Sequence, residues 1–565
     1  MISVSGKNWE EIRVNRRLIE KVKVDYNLND IQSKLVVSRN FSDEEILSIR
    51  NKLNFKNPFF KNKDFLLGCE LLKKHIINKK KIMIVGDYDV DGCVSTSLMV
   101  NFLKKNNNDV NFYIPDRFED GYGANKKLLI KLIPKYKPHL IIFLDCGSSS
   151  LEAIEYSRNL NIKSLIIDHH NIPHQYPSAN VFINPKKELN NSYNYLCSAC
   201  LTYFFIDLYI SLNRLKISFK DNLIYVLLAT VADVMPLRKL NRLLALNTLK
   251  DFNLNQNFIF KYLSKNLNLK KKIGIEELGY LIAPIFNSAG RLENANQIVE
   301  LLTTDSINKS IKILNRICTL NTKRKLIENR TFTKLNLNKI SNQKGIIFIY
   351  EPNISEGIIG ILASKISEQF SRPCIVFTNS GKILKGSARS NIGFNIGNYI
   401  NKALINKILI NGGGHNLAAG VSLTRSKLNI FKNFLDHFYL KNNNFISNMF
   451  ISKISLTTVN KNFINGINLL GPFGYQNIDP IFLIEDIKFN KPFLIKEKFI
   501  SCYIKSKNKT IKAISFSHIN SEISYNIINF KKNVNVLVKI KENRWNNKNS
   551  VQLEIIDIIK TTINT

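Results

Sequence analysis

The apolar run Lys81–Val85 leads into Gly86-Asp87-Tyr88-Asp89-Val90-Asp91-Gly92. Three carboxylates alternate over five residues at the junction between a buried strand and the helix that follows. Open α/β sheets bind their ligands at such junctions, outside the carboxyl ends of the strands. Acids this close repel one another unless a cation sits among them, and oxygen donors suit Mg²⁺ or Mn²⁺. Two more apolar runs end in the same manner. Leu140–Leu144 is followed by Asp145-Cys146-Gly147, and Ser164–Ile167 by Asp168-His169-His170. A very apolar helix over 221–232 closes on Asp233, an acid that needs a partner.

These positions give a ligand set of Asp89, Asp91, Asp145, His169 and Asp233, with Asp87 as a sixth ligand or a group hydrogen-bonded behind the others. Five or six ligands exceed what one Mg²⁺ takes from protein. They suit two ions roughly 4 Å apart, bridged by one carboxylate. Asp145, alone on its strand, is assigned as the bridge. Two such ions lower the pKa of a shared water and stabilise a pentacovalent phosphorane, which is phosphodiester hydrolysis by direct attack of water. The histidine favours Mn²⁺, and Mg²⁺ is also compatible.

The elements around these residues predict an α/β fold. Strands at Lys81–Val85, Val110–Ile114, Leu140–Leu144 and Ser164–Ile167 alternate with helices near Val94–Lys105, Asn125–Ile133 and Leu151–Leu160, the pattern of a parallel sheet. Residues 197–330 read as mostly helical, with one long helix over Asn308–Leu337. Cys197-Ser198-Ala199-Cys200 reads as small residues opening a buried helix, since no second cysteine pair completes a zinc site. A second α/β pattern follows, with strands at Gly345–Tyr350 and Cys374–Thr378, a helix at Ile358–Phe370, and a glycine-rich loop at Gly412–Gly420. From about residue 450, five short β-rich runs suggest a small barrel. The domains expected are an N-terminal subregion (1–60), a catalytic domain (61–305), a connecting helix (306–340), a substrate-binding domain (341–445) and a C-terminal β-barrel (446–565).

Across 565 residues, 81 Lys/Arg stand against 44 Asp/Glu, a net charge of +37. That excess points to a polyanionic partner or an anionic surface. The abundance of Lys, Asn and Ile also fits AT-rich coding, so charge alone does not decide. The hydrophobic fraction of 44% excludes disorder throughout. No apolar stretch is long enough to predict a transmembrane helix, and the N-terminus lacks an apolar signal core. Eight scattered cysteines predict a reduced, cytoplasmic protein.

Taken in order, Asp-Tyr-Asp-Val-Asp-Gly (87–92), Asp-Cys-Gly (145–147), Asp-His-His (168–170) and Val-Ala-Asp-Val-Met-Pro-Leu (231–237) resemble the motifs of the DHH phosphoesterase superfamily. Gly412-Gly413-Gly414-His415 with Ala418-Ala419-Gly420 resembles the signature of the DHH-associated domain. Three further segments resemble one branch, the RecJ family of single-strand DNA exonucleases: Asn287-Ser288-Ala289-Gly290-Arg291-Leu292, Gly386-Ser387-Ala388-Arg389-Ser390, and Pro115-Asp116-Arg117 with Gly121-Tyr122-Gly123.

The resemblance implies a 5′→3′ exonuclease that releases 5′-mononucleotides with two Mn²⁺ or Mg²⁺ ions, acting in recombination and repair. It implies an active site in a cleft between a DHH domain and its associated domain, with an OB-fold barrel at the mouth. The family's metal ligands map onto the acids and His169 named above, and His170 then contacts the scissile phosphate or assists as an acid. Arg117, Ser387 and Arg389 are candidates for a 5′-phosphate pocket, joined by Arg291, because guanidinium forks match phosphate oxygens. Gly413 and Gly414 let backbone N–H groups approach a phosphate, and His415 orients that loop or binds the phosphate. In the barrel, 17 Lys/Arg against 8 Asp/Glu over 451–565 interleave with Phe499, Tyr503, Phe516, Tyr525, Phe530 and Trp545, a composition suited to base stacking. The partners implied are single-stranded DNA, a single-strand-binding protein and a RecQ-type helicase. The chain is expected to be a monomer with no membrane association. Two rival functions are a DHH phosphodiesterase for short oligoribonucleotides or cyclic dinucleotides, and a non-catalytic single-strand-binding scaffold.

Overall fold

The computed structural model describes the chain except residues 51–52, 122, 174, 188–191, 270–271, 392, 442–446, 496, 520, 530–532, 546–547 and 560–565. It divides into two units. One holds residues 56–235 and 251–444, and the other holds residues 1–55, 236–250 and 445–565.

In the first unit a five-stranded, all-parallel sheet runs in the order Val110–Tyr113, Ile82–Val85, Leu140–Leu144, Lys163–Ile167, Val181–Ile183. Every residue of Ile82–Val85 and Leu140–Leu144 is buried, as continuous apolar strands covered on both faces must be. The three adjacent strands that carry the acids and histidines are therefore neighbours, and their carboxyl ends share one edge. The fifth strand, Val181–Ile183, is absent from the sequence reading because three residues are too few to show a period. The helix expected from Val94 begins at Val90 instead. Asp89 caps it, its side chain accepting from the Gly92 N–H at 3.0 Å, so the acidic turn is itself the start of the helix. Gly92 is required there, because a Cβ would lie 2.5 Å from the Asp87 carbonyl oxygen.

The long helix is Ile307–Lys334, 28 residues, whose buried face carries Ile313, Leu314, Ile317 and Leu320 together with Ser310, Asn321 and Arg324. Beyond it lies a second sheet in the order Asn411–Gly414, Ala418–Leu423, Ile383–Arg389, Cys374–Ser380, Ile347–Tyr350. Only its last two strands are parallel. The glycine-rich segment expected as a loop is thus an antiparallel hairpin, with Gly412 opposite Val421 and Gly413 opposite Gly420. The glycines concealed its β character, because strand propensity is read from side chains they lack. Close pairing demands their smallness: a Cβ on Gly414 would lie 2.3 Å from the Ala418 carbonyl oxygen.

In the second unit Ile481–Ile495 pairs with both Phe499–Ser506 and Val534–Trp545, and Lys509–Ser515 joins Lys548–Ile559. This closes a five-stranded barrel, which removes exposed sheet edges. Its core includes Phe482, Ile500, Cys502, Val536 and Leu553, and Leu35 and Val36 of helix Asp30–Ser38 belong to the same cluster. Residues 1–55 pack within this unit, as the parallel pairing of Trp9–Glu11 with Asn448–Phe450 also shows. All eight cysteines are free thiols. Among the described residues no helix is long and apolar enough to cross a membrane.

Candidate active site

Three groups of ligand atoms gather at the carboxyl edge of the parallel sheet: Asp87, Asp89 and Asp145; Asp91, His169 and Asp233; and Asp145, His169 and His170. Asp145 belongs to two of them. Its backbone is left-handed (φ 60°), and Gly147 two residues on has φ 111°. Such a conformation is uncommon for a side-chain-bearing residue and turns the chain sharply at the strand end. The His169 Nε2 lies 3.4 Å from both Asp145 Oδ1 and Asp233 Oδ2 and 3.7 Å from Asp91 Oδ2.

Second contacts fix the orientation of these groups. The backbone N–H groups of Ser198 and Ala199, which open helix Ser198–Leu212, each donate to Asp91 at 2.8 Å. A helix N-terminus is a favourable place for an anion. The Ser198 hydroxyl donates to Asp145 Oδ1 at 2.9 Å. Sequence reasoning saw only small residues in this segment, and the sole hint of a site role was its place at a helix start. Asp168, noted at its strand end but not assigned a role, accepts from the backbone N–H groups of His169, His170 and Ser148 and from His170 Nδ1 at 2.8 Å.

Electrostatics test whether this cluster fits divalent ions. Burial, with Asp89 as neighbour, pushes Asp87 up to about 7 and Asp91 to about 6. Asp145 and Asp233 are raised well above the carboxylate range, by burial first and then by Asp91 and Asp89. Burial and the charge of His170 keep His169 neutral, so its lone pair is available to a metal. Burial opposes charge on His170, but Asp168 outweighs it and raises His170 to about 10. For Asp168 burial favours protonation, and the His170 interaction overcomes it, holding the carboxyl well below its usual range. Four buried acids that cannot all ionise together, beside a neutral imidazole, are a donor set that a divalent pair completes.

That charge balance has a measurable consequence. A carboxyl raised in the folded state binds protons more tightly folded than unfolded, so between about pH 4 and 7 it lowers stability as pH rises. A cation binds the ionised form and removes the penalty. The thermal stabilisation given by Mn²⁺ or Mg²⁺ is therefore expected to grow between pH 5.5 and 8. It should shrink markedly in Asp145→Asn. A gain independent of pH and of Asp145, measured by differential scanning fluorimetry, would contradict this ligand set.

A second cluster adjoins the first through Tyr88, which stands between Asp87 and Asp89. The Arg117 guanidinium lies over the Tyr88 ring, 4.2 Å from its centroid. Gly290 approaches the Tyr88 backbone so closely that a Cβ would lie 2.4 Å from its carbonyl oxygen, and this sets Arg291 beside the acidic turn. Arg291 donates to the Gly357 carbonyl at 3.0 Å, at the start of helix Glu356–Phe370. Arg389 donates to the Ser387 hydroxyl at 3.1 Å. A Cβ on Gly360 of that helix would lie 3.0 Å from both side chains. Burial and the charges of Arg117, Arg389 and Arg324 lower Arg291 to about 9, and Arg389 is lowered by burial and by Arg117. Guanidiniums that depress one another are relieved by an anion placed among them.

The glycine hairpin continues this surface. Gly420 is the register partner of both Gly413 and Ser387, so the three form one row across the sheet. A Cβ on Gly413 or Gly420 would meet nothing within 4 Å, which leaves bare backbone beside Ser387. Gly414 instead faces its hairpin partner, so of the two expected phosphate-binding glycines only Gly413 faces open space. The His415 ring faces His170 with centroids 6.4 Å apart and planes 25° apart. Burial, then the charges of Lys186 and His170, lowers His415 to about 4. Tyr122, part of the Gly-Tyr-Gly motif, lies outside the described residues.

Three segments of the chain match known domain families. Residues 81–230 match the model of the DHH family, N-terminal domain. Residues 342–441 match the DHHA1 domain, and residues 452–557 the RecJ OB domain. The single-stranded-DNA-specific exonuclease RecJ of Bacillus subtilis is 28% identical over 570 aligned positions, covering 98% of this chain and 71% of the relative. That of Haemophilus influenzae is 32% identical, covering 64% of this chain and 67% of the relative. The crystal structure of RecJ in complex with Mn²⁺ from Thermus thermophilus superposes with a TM-score of 0.83 at 20% identity, covering 98% of this chain and 80% of that one.

Proposed function

Given that this chain belongs to the RecJ family, we propose that it is a single-strand-specific DNA exonuclease that digests from the 5′ end and releases 5′-mononucleotides. The observation that carries this reading is the separation of the two clusters by one residue, Tyr88. A terminal 5′-phosphate held by Arg117, Arg291, Ser387 and Arg389 leaves the next phosphate along the strand beside the carboxylates. Cleavage of that phosphodiester frees one nucleotide and leaves a new 5′-phosphate on the remaining strand, ready for the same pocket.

The reading assigns two Mn²⁺ or Mg²⁺ ions, the metals named for the Thermus thermophilus structures, to Asp87, Asp89, Asp91, Asp145, His169 and Asp233. Bound there, they supply a water-derived nucleophile at neutral pH and offset charge on the reacting phosphoryl group. The chain's own residues do the rest. Ser198 and the helix it opens hold Asp145 and Asp91 in place. His170, oriented through Nδ1 by Asp168, delivers a proton to the departing 3′ oxygen. The Gly413–Gly420 strip lets the strand lie against backbone, and His415 meets a phosphate oxygen.

In the barrel, Tyr503 points outward between register partners Asn490 and Lys512, and Lys505 is the partner of Lys488. An exposed aromatic among lysines is suited to stacking a base over a tracked phosphate backbone. Phe516 and Tyr525 are also exposed. Phe530 and the side chain of Trp545 lie outside the described residues. Affinity for oligo(dT) is accordingly expected to fall steeply with salt, with a log–log slope of about −0.7 per phosphate contact. A flat titration would remove the barrel's lysines from the binding path.

A cytoplasmic monomer acting in recombination and repair, with a single-strand-binding protein and a RecQ-type helicase as partners, completes the proposal. The decisive experiment is digestion of a long single strand labelled at its 5′ end. Labelled mononucleotide is expected from the earliest times, and a 3′ label should be released last. Activity confined to di- to pentanucleotides would overturn the reading in favour of an oligoribonucleotide phosphodiesterase.

A further inference from the structure

Two side chains at the seam between the parallel sheet and the glycine hairpin belong neither to the carboxylate cluster nor to the arginine pocket: Asn171 and Lys186. Asn171 directly follows the Asp-His-His triplet. Lys186 is tied to the same strand end, because its backbone N–H donates to Asn184 Oδ1 at 2.8 Å and Asn184 Nδ2 donates to the His170 carbonyl at 2.9 Å. The Lys186 Nζ donates to Asn171 Oδ1 at 3.2 Å. An ammonium can only donate, so the amide oxygen of Asn171 must face Lys186 and its NH₂ must face the opposite way. There Asn171 Nδ2 lies 3.5 Å from His415 Nδ1. An amide nitrogen can only donate as well, so His415 Nδ1 must be the bare, accepting nitrogen, and the ring proton must sit on Nε2.

We propose that Asn171 and Lys186 are positioning residues that fix His415 as its Nε2–H tautomer. The hairpin then offers a hydrogen-bond donor, not an acceptor, to a phosphate oxygen beside His170. Phosphate oxygens only accept, so the opposite tautomer would turn a lone pair toward the substrate. The backbone N–H of His415 donates to the Ala418 carbonyl at 2.8 Å, which holds the residue's main chain but does not set the protonation of the ring nitrogens. The polarity of the ring is set from across the seam, by the Lys186–Asn171 relay. This assignment rests on the exonuclease reading, since it presupposes a phosphate at that place.

The test pairs kinetics with a direct view of the proton. On a 5′-phosphorylated single strand, His415→Ala is expected to lower kcat by about 10²-fold. Asn171→Ala and the isosteric Asn171→Asp should each lower kcat by about tenfold, the equivalent of one hydrogen bond, with KM little changed. Neither should cost anything further in the His415→Ala background, because each acts through that ring. Lys186→Met should behave like Asn171→Ala, and Lys186→Arg should retain activity. A residue that merely filled space would tolerate Asn171→Asp. Wild-type kcat in Asn171→Asp, or losses that multiply with His415→Ala, would therefore overturn the proposal. Nitrogen-15 histidine spectra of the metal-free protein should show His415 protonated at Nε2, shifting toward Nδ1 in Asn171→Asp. An unshifted tautomer would also overturn it. If the wild-type protein fails to digest single strands, the exonuclease reading falls, and the spectra still decide the tautomer.

Discussion

Asp145→Ala is expected to reduce hydrolysis of single-stranded DNA by on the order of 10⁴-fold or more, while binding of the same strand is largely retained. Groups that work as a unit lose nearly all of their effect when one is removed. Asp145 is shared between two of the three ligand groups, and its removal breaks both. The change also frees the Ser198 hydroxyl, which donates to Asp145 Oδ1, and withdraws a carboxylate 3.4 Å from His169. Binding should be spared because the cations proposed to meet the strand, Arg117, Arg291, Arg389 and the barrel lysines, are unchanged. Asp145→Asn sharpens the test. It keeps the shape and an oxygen for Ser198 but loses the charge that two cations need, so it should be as inactive as alanine. Release of labelled mononucleotide and fluorescence anisotropy measure the two halves of the prediction. Residual hydrolysis within about tenfold of wild type would mean that Asp145 does not bridge the metals.

The parts of this site that could be read from sequence share a physical feature. Asp89, Asp91, Asp145 and His169 follow the ends of continuously apolar strands, where burial on both faces leaves few other places for charge, and Asp233 closes an apolar helix, Leu223–Ala232. Position along the chain thus translated directly into position in space. Asp89, Asp91, Asp145 and His169 gather at one edge for that reason, and the helix end brings Asp233 to Asp91 and His169. Ser198 shows the limit. It acts through a backbone N–H and a hydroxyl, and a serine at a helix start is commonplace, so nothing in its neighbours set it apart. Asn171 and Lys186 were illegible for a different reason. Their effect depends on His415, 244 residues away from Asn171, across a seam that periodicity cannot describe. The glycine hairpin failed in the opposite direction: the composition was conspicuous, but glycine carries no β signal, and the strand appeared as a loop. The three-residue strand Val181–Ile183 was simply too short to register. The charge of +37 gains a context with this geometry, because a cluster of mostly buried acids is the exception in a basic chain and Arg117 and Arg291 adjoin it at Tyr88.

Arg389→Ala is expected to abolish the preference for a 5′-phosphorylated end. Removing one member of a buried, hydrogen-bonded charge pair costs about 2–5 kcal/mol, or roughly 30- to 5,000-fold. Its anchoring explains why the effect should be large. Arg389 stands at the end of strand Ile383–Arg389, donates to the Ser387 hydroxyl and its own strand's Ala388 carbonyl, and is enclosed by Gly360 of the adjoining helix. Arg291 and Arg117 press on it electrostatically, so the free site is strained by like charge and the phosphate relieves that strain. The loss should fall on kcat/KM for 5′-phosphorylated strands and leave 5′-hydroxyl strands, which never filled the pocket, nearly unaffected. Arg389→Lys keeps the charge but not the planar fork and should recover only part of the discrimination. If both substrates slow equally, Arg389 supports the fold around Ser387 and does not read the strand end. If only the phosphorylated strand slows, polarity follows from geometry. The phosphate left by each cut is then the one group that fits the pocket, and the next phosphodiester is the one the carboxylates can reach.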